Sequence, residues 1–182
     1  FFKRVSGMSK TGIMIYNAPG IGITLSPQII CRLAEIDGMV ALKQGDLNPT
    51  SIDILASQLH GKIRMLCASD LALLGPLAMG FDGVSSTNSC ALPELIHSIY
   101  HAIKNGDATT AGHLQRLWYP LRELARKYGQ PQTTKAIMDL RGWSGGGVRL
   151  PLLDLNADQK QQVRLALEEL SCNEASSVSL VA

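Results

Sequence analysis

The sequence predicts an α/β protein: a (β/α)8 barrel of the TIM type with strands 5 to 8 represented, followed by C-terminal helices. Three observations carry this. Four short apolar segments alternate with segments of helical period, the pattern of βαβ units and a parallel sheet. After the fourth strand the pattern turns to helices alone. Four such units make half of an eight-stranded barrel, a fold that takes about 250 residues when complete, and the chain has 182.

The elements follow in order. FFKRVS, at the start, reads as a strand end, yet only GMSK separates it from the next strand around Ile13. A parallel crossover needs a dozen residues or so. The expectation is therefore that the barrel's first half is not represented and that a helix is missing at a gap near residues 6–7. An open four-stranded sheet and a pair of assembling half-barrels are the competing readings. GIMIYN (12–17), MVALK (39–43), IRMLCAS (63–69) and GVSST (83–87) are short, apolar or β-branched, and bounded by Gly or Pro. Between them, LSPQIICRLAEIDG has Ser26 as N-cap, Pro27 in the first turn and Gly38 as stop. NPTSIDILASQLHG repeats that plan up to Gly61, and SDLALLGPLAMG gives a third helix ending near Gly80.

Helices continue from Pro93 to Gly106, then from Ala108 to Gly129 with a break or kink at Pro120. QTTKAIMDLRG and NADQKQQVRLALEEL follow, joined by the flexible connection WSGGGVRLPLLDL. The expected division is 1–90 for the barrel half, 91–172 for the last barrel helix and the C-terminal helical region, and 173–182 for a flexible tail.

Composition narrows the function. Hydrophobic residues make up 46% of the chain, enough for a core, and 17 basic against 15 acidic residues are interspersed. No basic stripe points to nucleic acid and no apolar run reaches membrane-spanning length. Cys31, Cys67, Cys90 and Cys172 form no CxxC pair, so they read as reduced thiols of a cytoplasmic protein.

In parallel barrels the chemistry sits at the C-terminal ends of the strands. Tyr16 and Asn17, Lys43, Ser69 and Asp70, and Ser85, Ser86 and Thr87 occupy those places. Lys43 ends an apolar strand, where desolvation disfavours an ammonium. A neutral amine there can attack a ketone and form a Schiff base. Tyr16, on the neighbouring strand, can shuttle the protons that a carbinolamine requires. The bland alternative is a lysine that snorkels to solvent beside a tyrosine with a wet hydroxyl.

YNAP (16–19), the lysine in MVALKQGD, GFDGVSSTNSCALPELI and VRLPL occur in an order that resembles the dihydrodipicolinate synthase and N-acetylneuraminate lyase family. That resemblance runs through nearly the whole chain. It implies a Schiff-base-forming lyase or aldolase acting on pyruvate or another 2-oxo acid, on a complete barrel, without cofactor or metal. Lys43 would form the imine and Tyr16 carry protons, with Gly45, Ser69, Asp70, Ser86 and Thr87 lining the substrate site. It also implies a homo-oligomer, a dimer or tetramer.

Departures matter too. Ile21 stands where the lysine-biosynthetic synthase branch carries a carboxylate-binding arginine, and LKQ (42–44) looks closer to the sialate lyase branch than to the synthase's usual lysine–glutamate. CASDLA differs from the lyase branch's sugar-binding segment, so an uncharacterised subgroup fits best. The synthase itself and a degenerate barrel that only binds a 2-oxo acid are the alternatives.

Other features have ordinary readings. His97 and His101 share a helix face but lack the third or fourth ligand of a zinc site. WSGGGV lacks a P-loop lysine. Trp118 and Tyr119 read as packing anchors or subunit contacts. Ser85 and Ser86 have no histidine in a triad-like place, and Asn88 and Cys90 are left outside the site.

Overall fold

A computed structural model describes residues 1–180. The chain divides into two compact units, residues 1–86 and the segment from Thr87 onward. In the first unit, α1 (Phe2–Met8), β1 (Ile13–Asn17), α2 (Pro27–Ala34), β2 (Met39–Gln44), α3 (Pro49–Leu59), β3 (Arg64–Cys67), α4 (Leu74–Ala78) and β4 (Gly83–Val84) alternate. The four strands are parallel in the order β1-β2-β3-β4.

The opening segment corrects the first expectation. FFKRVS is not a strand end but most of α1, which runs unbroken through Ser6 and Gly7. The linker 9–12 is then an ordinary helix-to-strand connection, and the reason for placing a gap near residues 6–7 disappears. The Ser6 hydroxyl donates to Asp37 O, tying α1 to the turn before β2.

Caps explain the next two helices. The Ser26 side chain accepts from Ile29 N–H, Asn48 accepts from Thr50 and Ser51, and Pro27 and Pro49 occupy first-turn positions where no N–H is needed. α4 is shorter than expected, and β4 keeps two residues, although Ser85 N–H still donates to Cys67 O at 2.8 Å.

Strand alternation sets the two faces of the sheet. Ile15, Leu42, Met65 and Cys67 are fully buried on the side of α2 and α3, together with Ile30, Leu55 and Leu59. Each such side chain contributes about 1.5–3 kcal/mol by leaving water. Met14 and Tyr16 point the other way and are about half exposed, with Lys43 half-buried beside them. Parallel sheets are ordinarily covered on both faces, so the side bearing Tyr16 and Lys43 is the open side of a layered fold.

In the second unit, a 3-10 turn (Thr87–Cys90) leads into α5 (Pro93–Lys104), α6 (Ala108–Leu117), α7 (Tyr119–Tyr128), α8 (Gln132–Leu140) and α9 (Ala157–Ser171). The division thus falls at 86/87 and not at 90/91, because the turn packs with this unit: Asn88 Oδ1 accepts from Gln130 Nε2 at 2.9 Å and Thr134 Oγ1 at 3.3 Å. The long helix breaks at Trp118, which is buried, and Pro120 falls in the first turn of α7. Tyr119 remains half exposed.

Two segments expected to be loose are held. A Cβ on Gly145 would lie 2.2 Å from Lys135 O, and Lys135 Nζ donates to Gly145 O at 2.6 Å. In the tail, Ser176 and Val178 are buried, Ser176 Oγ donates to Leu170 O at 2.9 Å, and Arg141 Nε donates to Ser179 O at 3.1 Å. Residues 173–180 are therefore anchored by burial and hydrogen bonds; 181 and 182 lie outside the described residues.

Candidate active site

β1 and β2 pair so that Tyr16 and Lys43 are register partners at the C-terminal ends of their strands. Lys43 in turn pairs with Leu66 on β3, so the amine rises from an apolar stretch of sheet. Its Nζ lies 4.3 Å from the centroid of the Tyr16 ring, over the face of the π system. That contact has cation–π geometry and keeps the amine beside the phenol ring. Both groups open to the uncovered side of the sheet.

Beyond β3, the Cys67 thiol donates to Ser69 O at 3.0 Å, and Ser69 Oγ accepts from Leu71 N–H at 3.3 Å. Asp70 is buried, and the Ser86 hydroxyl donates to its carboxylate. Two of the expected substrate residues therefore come together across the ends of β3 and β4. Thr87 begins the 3-10 turn of the second unit and is exposed there.

Gly45 has a backbone task. A Cβ there would sit 2.9 Å from Asn17 O and 3.3 Å from Pro19 Cδ, so only glycine lets the strand ends approach this closely. Its N–H donates to Asn17 O at 2.8 Å. Ile21 lies on the turn after YNAP, 80% exposed, with Gly20 at φ 85° providing the left-handed step.

Asn17 and Gln44 were given no role by their residue types alone, yet they are buried and bonded to each other directly behind the Tyr16 and Lys43 positions. Their signal in the sequence is slight: each is an amide that follows a candidate catalytic residue at a strand end.

The Cys67 thiol is held above its ordinary pKa, chiefly by burial; the hydrogen bond to Ser69 O opposes this and the nearby Asp70 charge adds to it. It is a packing group in the sheet. A groove of about 980 Å³ lies between α1 and α2 along Lys3, Arg32 and Asp37 and includes none of the site residues. His97 and His101 are exposed with ring centroids 4.1 Å apart, and among the described residues no group of three or more metal-binding side chains assembles. Nor is any described helix long and apolar enough to cross a membrane.

The model of the dihydrodipicolinate synthetase family matches residues 1–170. The 4-hydroxy-tetrahydrodipicolinate synthase of Pediococcus pentosaceus is 33% identical over 98% of this chain and 59% of its own length. A Listeria monocytogenes protein of the same name is 31% identical over 93% of this chain and 58% of its own. Among solved structures, dihydrodipicolinate synthase from Thermotoga maritima superposes with a TM-score of 0.85 at 24% identity, over 93% of this chain and 59% of that one. The Cyanidioschyzon merolae enzyme, solved with lysine bound, gives a TM-score of 0.79 at 27% identity over 87% and 54%. The fold is a partial (β/α)8 barrel with C-terminal helices, and the chain spans somewhat under 60% of the length of the curated relatives it matches.

Proposed function

The chain belongs to the dihydrodipicolinate synthetase family, and on that premise we propose that its protein is a Schiff-base-forming lyase or aldolase acting on pyruvate or another 2-oxo acid. The observation that carries the reading is the pairing of Tyr16 with Lys43 at adjacent strand ends, with Nζ 4.3 Å from the ring centroid.

The chemistry follows from these two groups. The Lys43 amine, once neutral, adds to the C2 carbonyl carbon of the 2-oxo acid; the nitrogen gives up a proton and the carbonyl oxygen takes one, which gives a carbinolamine. A second proton lets that oxygen leave as water, and the nitrogen lone pair forms the iminium bond. The iminium withdraws electrons from C3, so loss of a C3 proton gives an enamine whose carbon attacks an aldehyde. Run backwards, the same steps cleave a carbon–carbon bond. Tyr16 is the proton carrier at the carbinolamine, a task suited to a phenol. The scheme calls for no metal or cofactor.

Asp70 and Ser86 form one wall of the proposed substrate site, and Asp70 orients the Ser86 hydroxyl. Ser69 completes the proposed lining, while Gly45 shapes the mouth. The open face of the sheet would be covered by the remaining barrel strands that the longer relatives possess. We place the working enzyme in the cytoplasm as a homo-oligomer; the free thiols Cys31, Cys67, Cys90 and Cys172 accord with a reducing compartment.

Within this reading, the names of the curated relatives favour 4-hydroxy-tetrahydrodipicolinate synthase activity. Ile21 favours a different acceptor, because its exposed alkyl side chain offers no donor to a second carboxylate. The test is exchange of the pyruvate methyl protons with deuterated water, followed by NMR. The enamine requires exchange by the wild-type protein and none by Lys43→Ala. Exchange that persists in Lys43→Ala would refute the mechanism.

A further inference from the structure

Immediately after Tyr16 and Lys43, on the helix-facing side of the same strands, Asn17 and Gln44 form the next register pair. Asn17 has no exposed surface and Gln44 has 1%. Asn17 Nδ2 donates to Gln44 Oε1 at 2.9 Å and to Leu25 O at 3.2 Å, while Asn17 Oδ1 accepts from Leu25 N–H at 2.9 Å. One side chain thereby joins the end of β1 to the end of β2, and pins both backbone groups at the far end of loop 18–25.

The backbone around this pair is equally tied. Gly45 N–H donates to Asn17 O and Ala68 N–H donates to Gln44 O, both at 2.8 Å. The ladder therefore continues from β1 through β3 at the level where the site residues emerge. Gln44 Nε2 is buried without a partner among the described residues.

We propose that Asn17 and Gln44 are positioning residues for the imine chemistry, a buried amide bridge that fixes the separation of Tyr16 and Lys43 and folds loop 18–25 beside them. This rests on the reading of Lys43 as the nucleophile. Each bridging residue is one peptide from a reacting side chain, so any shift of a strand end is carried straight to the phenol or the amine. Misplacement by about 1 Å can cost on the order of 100-fold in rate. Strand ends are where the sheet constrains the chain least, and here a side-chain bridge continues the constraint.

The test uses the full-length protein with Asn17→Ala, Gln44→Met, Gln44→Glu and, as a packing control, Leu55→Ala. Two quantities are read: the rate of pyruvate imine formation by timed borohydride quench, and hydrogen exchange of residues 18–25. Asn17→Ala and Gln44→Met slow imine formation roughly tenfold to 100-fold with little change in half-saturating pyruvate, and speed exchange in the loop. Gln44→Glu keeps the acceptor for Asn17 and recovers most of the rate. Leu55→Ala, also buried, lowers stability without changing the rate of the folded protein. Wild-type rates in folded Gln44→Met, or a loop that stays protected, would overturn the proposal. If the wild-type protein forms no imine, the functional reading fails, and loop exchange alone then decides the bridge: unchanged protection in Gln44→Met refutes it. Should Asn17→Ala not fold, the Gln44→Met and Gln44→Glu contrast carries the same decision.

Discussion

Lys43 Nζ stands over the Tyr16 ring, 4.3 Å from its centroid, and the two residues are register partners on adjacent parallel strands. The contact combines two demands that pull in opposite directions. The Lys43 side chain packs against the ring face, whereas the attack proposed for it needs the amine free to reach a carbonyl.

That geometry separates the ring of Tyr16 from its hydroxyl. Tyr16→Phe keeps the surface beneath Nζ and removes the hydroxyl proposed to carry protons. Loss of a positioned general acid or base costs about 10²–10⁴-fold, so Tyr16→Phe is expected to slow imine formation by about 100-fold or more while pyruvate binding persists. Stopped-flow absorbance and equilibrium binding on the same sample check this; an unchanged rate would remove the phenol from the mechanism.

Cys67 has no exposed surface, and burial raises its thiol pKa. Cys90 and Cys172 are exposed. Iodoacetamide at mildly alkaline pH is expected to label Cys90 and Cys172 well before Cys67, as read by peptide mass mapping. The linkage has a definite sign. Below the ordinary thiol value of 9.0 both states hold the proton; as pH rises through it the unfolded chain ionises first, so stability falls.

Arg141 ties the helical unit together. It is 4% exposed, pairs with the Glu94 carboxylate, donates to Ala91 O at 2.5 Å and Ser179 O at 3.1 Å, and lies 4.1 Å from the Trp143 ring centroid. Arg141→Met would leave Glu94 without its cation, at a cost on the order of 3 kcal/mol. Arg141→Lys recovers only part, because one ammonium cannot reproduce the guanidinium fork. Urea unfolding measures both, and a loss near zero in Arg141→Met would contradict the account of the anchored tail.

α9 begins with a reciprocal cap: Asn156 Oδ1 accepts from Gln159 N–H at 2.9 Å and Gln159 Oε1 accepts from Asn156 N–H at 3.0 Å. Asn156→Ala is expected to destabilise by about 1 kcal/mol, measured by thermal unfolding. Asn156→Asp keeps the acceptor and favours the helix N-terminus, so it should cost little.

Helix starts were legible because their physics is local. Ser26 with Pro27, and Asn48 with Pro49, announce caps that the structure contains. The alternation of strands and helices could likewise be read from period and punctuation. FFKRVS is ambiguous in sequence because six residues of mixed character fit either a strand end or a helix, and only the helix, pinned by Ser6 to Asp37, makes the following linker ordinary. The tail looked loose in composition, yet Val178 is buried and Arg141 reaches Ser179 across 38 positions. The Asn17 and Gln44 bridge spans 27 positions, so nothing local foretold it.

The central claim is that Lys43 is an imine-forming amine and not a strand-end lysine turned to solvent. Borohydride reduction of the full-length protein in the presence of pyruvate, followed by mass mapping of the modified peptide, tests it most directly. The account predicts a reduced pyruvyl adduct on Lys43 alone. Detectable pyruvate binding with no adduct on Lys43 would contradict it.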